Sequence, residues 1–162
     1  MRLVVLLLIT ALGAATQAVP AAASPAVPPF VQGLVKKRAR HLAFVPTRVL
    51  RGYRYESYRI SGRAPTVVLR FRRAKPAQNQ PPWFTVTVRP YAGRPADCGS
   101  GKLQTLQLGG NKVCWDGTSA WRCQLLAGGT AKISVSGPST DPMKFAAKFA
   151  YGLVAASVKR VT

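Results

Sequence analysis

An α+β fold is predicted for this chain: an antiparallel sheet of about six or seven strands, with a short N-terminal helix and a C-terminal helix packed on one face. Three observations predict it. Four segments between residues 66 and 136 alternate apolar and polar side chains with a period of two, the pattern of a half-buried strand. Gly-Gly and Asp-Gly pairs punctuate the later segments at hairpin spacing, and hairpins join neighbouring strands antiparallel. Residues 141–158 then repeat apolar side chains every three to four positions, the period of an amphipathic helix.

Taken in chain order, Met1 to Ala23 reads as a secretory signal peptide. Arg2 gives the positive start, Leu3 to Leu12 the apolar stretch, and Ala21-Ala22-Ala23 a small-residue cleavage site, with Ala18 as the alternative. The apolar run is shorter than the ~20 residues a membrane span needs, so the expected location is secreted or extracytoplasmic. Residues 24–45 form a lead-in. Ser24 to Pro29 is Pro-rich and expected to be an extended tail, and Phe30 to Phe44 a short basic helix with Phe30, Leu34 and Val35 as its apolar side.

Residues 46–162 are expected to form one α+β domain. Val67, Leu69 and Phe71 alternate with Val68, Arg70 and Arg72. Phe84, Val86 and Val88 alternate with Thr85, Thr87 and Arg89. Trp121, Cys123 and Leu125 alternate with Arg122 and Gln124, and Ala131, Ile133 and Val135 with Lys132 and Ser134. Tyr53–Ile60 and Gln104–Leu108 read as further strands with less regular alternation, and Gly109-Gly110, Asp116-Gly117 and Gly128-Gly129 as turns. Trp115 and Trp121 flank the second turn and read as hairpin packing. Asp141-Pro142 supplies an N-cap and a first-turn Pro. Met143, Ala146, Ala147, Ala150, Leu153 and Val154 form the apolar stripe of that helix, with Lys159 and Arg160 at its negative end.

Charge narrows the function. The 162 residues carry 24 Lys and Arg against 4 Asp and Glu, a net charge of +20, and only 1 His and 3 Cys. That inventory supplies no constellation for general acid–base catalysis, so a non-enzymatic role without a cofactor is expected. No CxxC pair is present and His41 is the single His, so no zinc site is expected. Residues 36–75 hold 13 of the 24 cations and one acid, Glu56. If Val67, Leu69 and Phe71 face the core, parity puts Arg70 and Arg72 on the wet face, and equally Arg89, Arg122 and Lys132 on later strands. These five residues are the candidate anion-binding set, with Tyr53, Tyr55 and Tyr58 available for stacking. Guanidinium groups bind phosphate and carboxylate bidentately, so the expected partner is an anionic cell-envelope component or an acidic protein. With no recognised nucleic-acid motif, specific nucleic-acid binding is not expected, and the chain is read as a monomer.

In an oxidising compartment one disulfide and one leftover thiol are expected from three cysteines. Cys114 and Cys123 lie diagonally across one hairpin, an offset that strains a bridge. Cys98, in an Asp-Cys-Gly-Ser-Gly segment, adapts more easily. The expected bridge is Cys98–Cys123, leaving Cys114 free and buried, with Cys98–Cys114 the other pairing.

Pro46-Thr47-Arg48-Val49-Leu50-Arg51-Gly52-Tyr53 is similar to the Pro-x-x-Leu-Pro-x-Gly-Tyr opening of a family of extracytoplasmic domains of Gram-positive bacteria, some fused to anti-sigma factors or sporulation proteins. Leu108-Gly109-Gly110-Asn111-Lys112-Val113, Trp121 and the 141–158 helix extend the resemblance over most of the mature chain, residues 24–162. It implies the same fold and compartment. It also raises a second functional reading, an extracytoplasmic protein-interaction or sensor domain in which the basic charge is incidental.

Overall fold

The computed structural model describes residues 25–75, 80–93, 104–138 and 144–162. The expected signal peptide, the Asp141-Pro142 cap and Cys98 lie outside them. Helix α1 (Pro29–Ala39) starts on a Pro in its first turn, where the missing N–H costs nothing. Its buried residues are Val31, Val35 and Ala39, spaced by four so that one stripe faces inward. Val27 is also fully buried, so the lead-in is anchored from there onward rather than a free tail. The expected stripe is corrected accordingly: Phe30 is 68% exposed.

Strand β1 (Phe44–Pro46) pairs antiparallel with β9 (Val158–Arg160), clipping the two ends of the fold together. Between them run β2 (Tyr53–Ser61), β3 (Thr66–Arg73), β4 (Trp83–Tyr91), β5 (Gln104–Leu108), β6 (Asn111–Trp115), β7 (Ser119–Leu126), β8 (Gly129–Ser136) and helix α2 (Lys144–Ser157). The seven strands β2 to β8 form one antiparallel sheet in the order β2-β3-β4-β8-β7-β6-β5. Two meanders are thus joined at the β4–β8 pair. Local turn chemistry sets the hairpins: Gly109 and Gly110 sit at φ 55° and 78°, the pair of positive values a two-residue turn with the strands' own twist requires.

Both helices cover one face of this sheet. Val67, Leu69, Phe71, Phe84, Val86, Val88, Ile133 and Val135 are fully buried there together with Val31, Val35 and Ala155. Phe71 stacks on Phe84 at 5.0 Å between ring centres, and Tyr53 and Tyr151 close round Phe84. Each such side chain contributes roughly 1.5–3 kcal/mol by leaving water. The inward residues of α2 are Tyr151, Val154, Ala155 and, just beyond, Val158, whereas Leu153 is 46% exposed. The helix is therefore rotated from the stripe the sequence predicts. Lys159 and Arg160 belong to β9 rather than to the helix end. Among the described residues no helix is long and apolar enough to cross a membrane.

Asp116 fixes the β6–β7 turn. Its carboxylate accepts hydrogen bonds from the backbone N–H groups of Thr118 (3.0 Å) and Ser119 (2.8 Å) and from both hydroxyls. Burial pushes this carboxyl up, but the four donors outweigh it and hold the group below its ordinary value. A depressed carboxylate adds stability above the unfolded-state value and loses it as pH falls through the folded one. Asp116→Ala is expected to cost about 1 kcal/mol at neutral pH, given charge-assisted bonds at a wet site. Denaturant unfolding at pH 7 and pH 3 checks this: the gap between wild type and variant should shrink at the lower pH.

Candidate anion-binding sheet face

The sheet face turned away from the helices is built by alternation and register. Cross-strand neighbours form one row of Ser57, Arg70, Thr85, Ser136 and Ser119, and a second of Arg59, Val68, Thr87, Ser134 and Trp121. Arg54, Arg72 and Trp83 lie at one end, and Arg89 pairs directly with Lys132 at the other. Arg70, Arg72, Arg89 and Lys132 therefore share a face with a floor of Ser and Thr hydroxyls, as parity predicts. Arg54 and Arg59 on β2 join them.

Two local arrangements divide these cations. The β2–β3 register slips between Tyr55 and Ser57, so Glu56 is the extra residue of a bulge, and bulges re-aim a side chain. Its carboxylate forks to Nε of Arg70 and Nε of Arg72, each at 2.8 Å, and the Arg70 guanidinium also lies 4.6 Å from the centre of the Trp83 ring. Lys132 Nζ sits 4.0 Å above Trp121 and 5.9 Å from Tyr91, where the negative ring faces orient the ammonium. Arg70 and Arg72 are thus matched by an internal acid. Arg89 and Lys132 stand side by side, with no described acid bonded to either.

Arg122 is corrected: it does not belong to this face. It is 5% exposed and lies on the helix side of the sheet. Its Nε donates to the Ala155 carbonyl (2.9 Å), one terminal nitrogen to the Val158 carbonyl (2.6 Å) and the other to Gln124 Oε1 (2.8 Å). The physical reason is the end of α2, whose last carbonyls lack helical partners and carry the negative end of the dipole. Burial lowers the guanidinium's pKa from its usual value without bringing it near neutrality. The inward residues of β7 are consequently Ala120, Arg122 and Gln124, the reverse of the alternation read from the sequence, and Leu125 is 67% exposed.

The three tyrosines are corrected too. Tyr53, Tyr55 and Tyr58 pack against the core side, and the Tyr53 hydroxyl donates to the Pro81 carbonyl, so they offer no stacking platform. Trp115 and Trp121 are both buried, on opposite faces, because consecutive register pairs join Trp115 to Ala120 and Trp121 to Cys114. They form no shared clamp.

Cys114 is fully buried beside Trp121 and is disulfide-bonded, which corrects its expected role as the leftover thiol. The register pairs it with Trp121, leaving Cys123 at the diagonal position, where Cα atoms lie about 7–8 Å apart and a bridge is strained. Peptide mapping without reduction is expected to recover Cys98 linked to Cys114; a Cys98–Cys123 peptide would contradict this pairing.

Compared with known protein families, curated proteins and solved structures, the chain has no match.

Proposed function

We propose that the chain is a secreted, non-enzymatic binding domain whose outer sheet face holds an anionic cell-envelope polymer. The observation that supports this reading most is the Arg89–Lys132 pair. Like charges directly opposite on neighbouring strands destabilise a sheet, yet among the described residues no acid is bonded to either, and they sit on a face floored by Thr85, Thr87 and Ser134. Such an arrangement leaves two charges for an incoming phosphate or carboxylate, with hydroxyls beside them to complete its hydrogen bonds. The Glu56 fork completes the picture at the other end of the face, since it displays the geometry in which Arg70 and Arg72 accept a carboxylate. An extended polyanion would lie along Arg54, Arg59, Arg89 and Lys132, and could compete with Glu56 for the remaining two.

The test is titration of the folded chain with a polyphosphodiester of the cell-wall type and with a neutral glucan of equal length, across a salt series. Saturable binding to the polyanion alone, weakening steeply as salt rises because counterions are released, is the expected result. Equal binding to both polymers, or to neither, would contradict the proposal and favour a protein-interaction domain in which the charge serves solubility.

A further inference from the structure

A groove lies where the segment joining β1 to β2 meets the end of α2. Ser157 pins that segment. Its carbonyl accepts from the Thr47 hydroxyl (2.8 Å) and the Thr47 N–H (3.2 Å), and its hydroxyl receives the Arg48 N–H (3.3 Å). The junction encloses a groove of about 480 Å³, within the range of roughly 300–1,000 Å³ typical of small-molecule sites. Its apolar floor comes from Val49, Leu50, Leu108 and Leu153. Leu153 is 46% exposed, an apolar side chain left in water by a helix that buries its neighbours Val154 and Ala155.

Charge specifies the occupant. Arg48, Arg51 and Lys159 line the same groove, and among the described residues no acidic side chain does. All three are exposed, with their alkyl stems available to extend the apolar wall and their charges at its rim. A groove of about 480 Å³ with an apolar floor, rimmed by three cations, is complementary to a molecule with a hydrocarbon tail and an anionic head. We propose that this groove binds a single fatty-acid anion, its chain along Leu50, Leu108 and Leu153 and its carboxylate between Arg48 and Arg51. The site is separate from the sheet face, and neither reading depends on the other.

The test uses dodecanoate, kept below its micelle-forming concentration, with the full folded chain and isothermal titration. One-to-one saturable binding is expected. Acetate, which has the head without the chain, should give none, and dodecyltrimethylammonium, the same chain with opposite charge, should bind at least tenfold more weakly. Leu153→Asp places a like charge on the floor at an exposed position, and Arg48→Ala/Arg51→Ala removes the head contacts. Each should weaken dodecanoate binding at least tenfold. The double variant decides the matter if circular dichroism shows that Leu153→Asp is misfolded. Lys36→Ala/Lys37→Ala removes as much charge from α1 and should bind dodecanoate as wild type does. Comparable binding of both amphiphiles, undiminished binding by Arg48→Ala/Arg51→Ala, an equal loss in the α1 variant, or no saturable binding would each overturn the proposal.

Discussion

Replacing Arg122 with Ala is expected to lower the stability of the fold by about 3 kcal/mol, since two buried carbonyls and Gln124 lose their donor at once and each unmet buried group costs roughly 1–3 kcal/mol. For a domain of this size that corresponds to a fall of about 6–12 °C in Tm. The Ala155 and Val158 carbonyls stand at the junction of α2 and β9, so the loss should loosen the strand pair that closes the two ends of the fold as well as the helix end. Arg122→Lys should recover part of the loss, because a single ammonium cannot span carbonyls that the guanidinium fork reaches together. The contribution should change little with added salt, as buried interactions are weakly screened. Thermal and denaturant unfolding measure it directly, and a change within 0.5 kcal/mol, the ordinary scale of a surface substitution, would contradict the assignment.

Arg89→Ala/Lys132→Ala carries the opposite signature. Affinity for the polyanion is expected to fall at least tenfold, and the slope of log K against log salt to become shallower by about two, one unit for each phosphate contact removed. Stability should change by less than about 1 kcal/mol, because relief of the cross-strand repulsion offsets the loss of the Lys132 ammonium from the Trp121 ring face. Loss of binding together with retained stability is what distinguishes a functional cation from a structural one. Arg70→Ala/Arg72→Ala should weaken binding less, since Glu56 already neutralises that pair in part. Glu56→Gln should tighten binding severalfold by freeing both guanidinium groups, while costing less than about 1 kcal/mol in stability because the ion pairs are partly solvated. Measured affinities that do not separate these three variants would contradict the division of the face.

The fold class was legible because β3, β4 and β8 alternate without interruption, and burial of one face fixes their register. The same parity correctly placed Arg70, Arg72, Arg89 and Lys132 together. It failed on β7 for a definite reason. Trp121, Cys123 and Leu125 are the more apolar set, yet the inward side of that strand meets the carbonyls at the end of α2, which require donors more than bulk. A pattern rule that sends apolar residues inward cannot register a demand made by a helix terminus distant in sequence. The Glu56 bulge did leave a trace. Apolar residues fall at Tyr53 and Tyr55, then at Tyr58 and Ile60, a skip of one that marks an extra residue between them. The tyrosine-rich segment reads as irregular alternation until that skip is taken as the signal. Nothing in the sequence pattern announced the groove beside Leu153, because it depends on the rotation of α2 and on Ser157 holding residues 47 and 48, contacts more than a hundred positions apart.

The central claim, that the outer sheet face is the anion-binding surface, is tested most directly by mapping amide chemical shifts while a short polyphosphate is titrated into the isotopically labelled chain. The account predicts saturable perturbations concentrated at Thr85, Thr87, Arg89, Lys132 and Ser134, with smaller ones at Arg70 and Arg72. Perturbations confined to the basic turn of α1 at Lys36, Lys37 and Arg38, or scattered over every cationic surface without saturation, would contradict it.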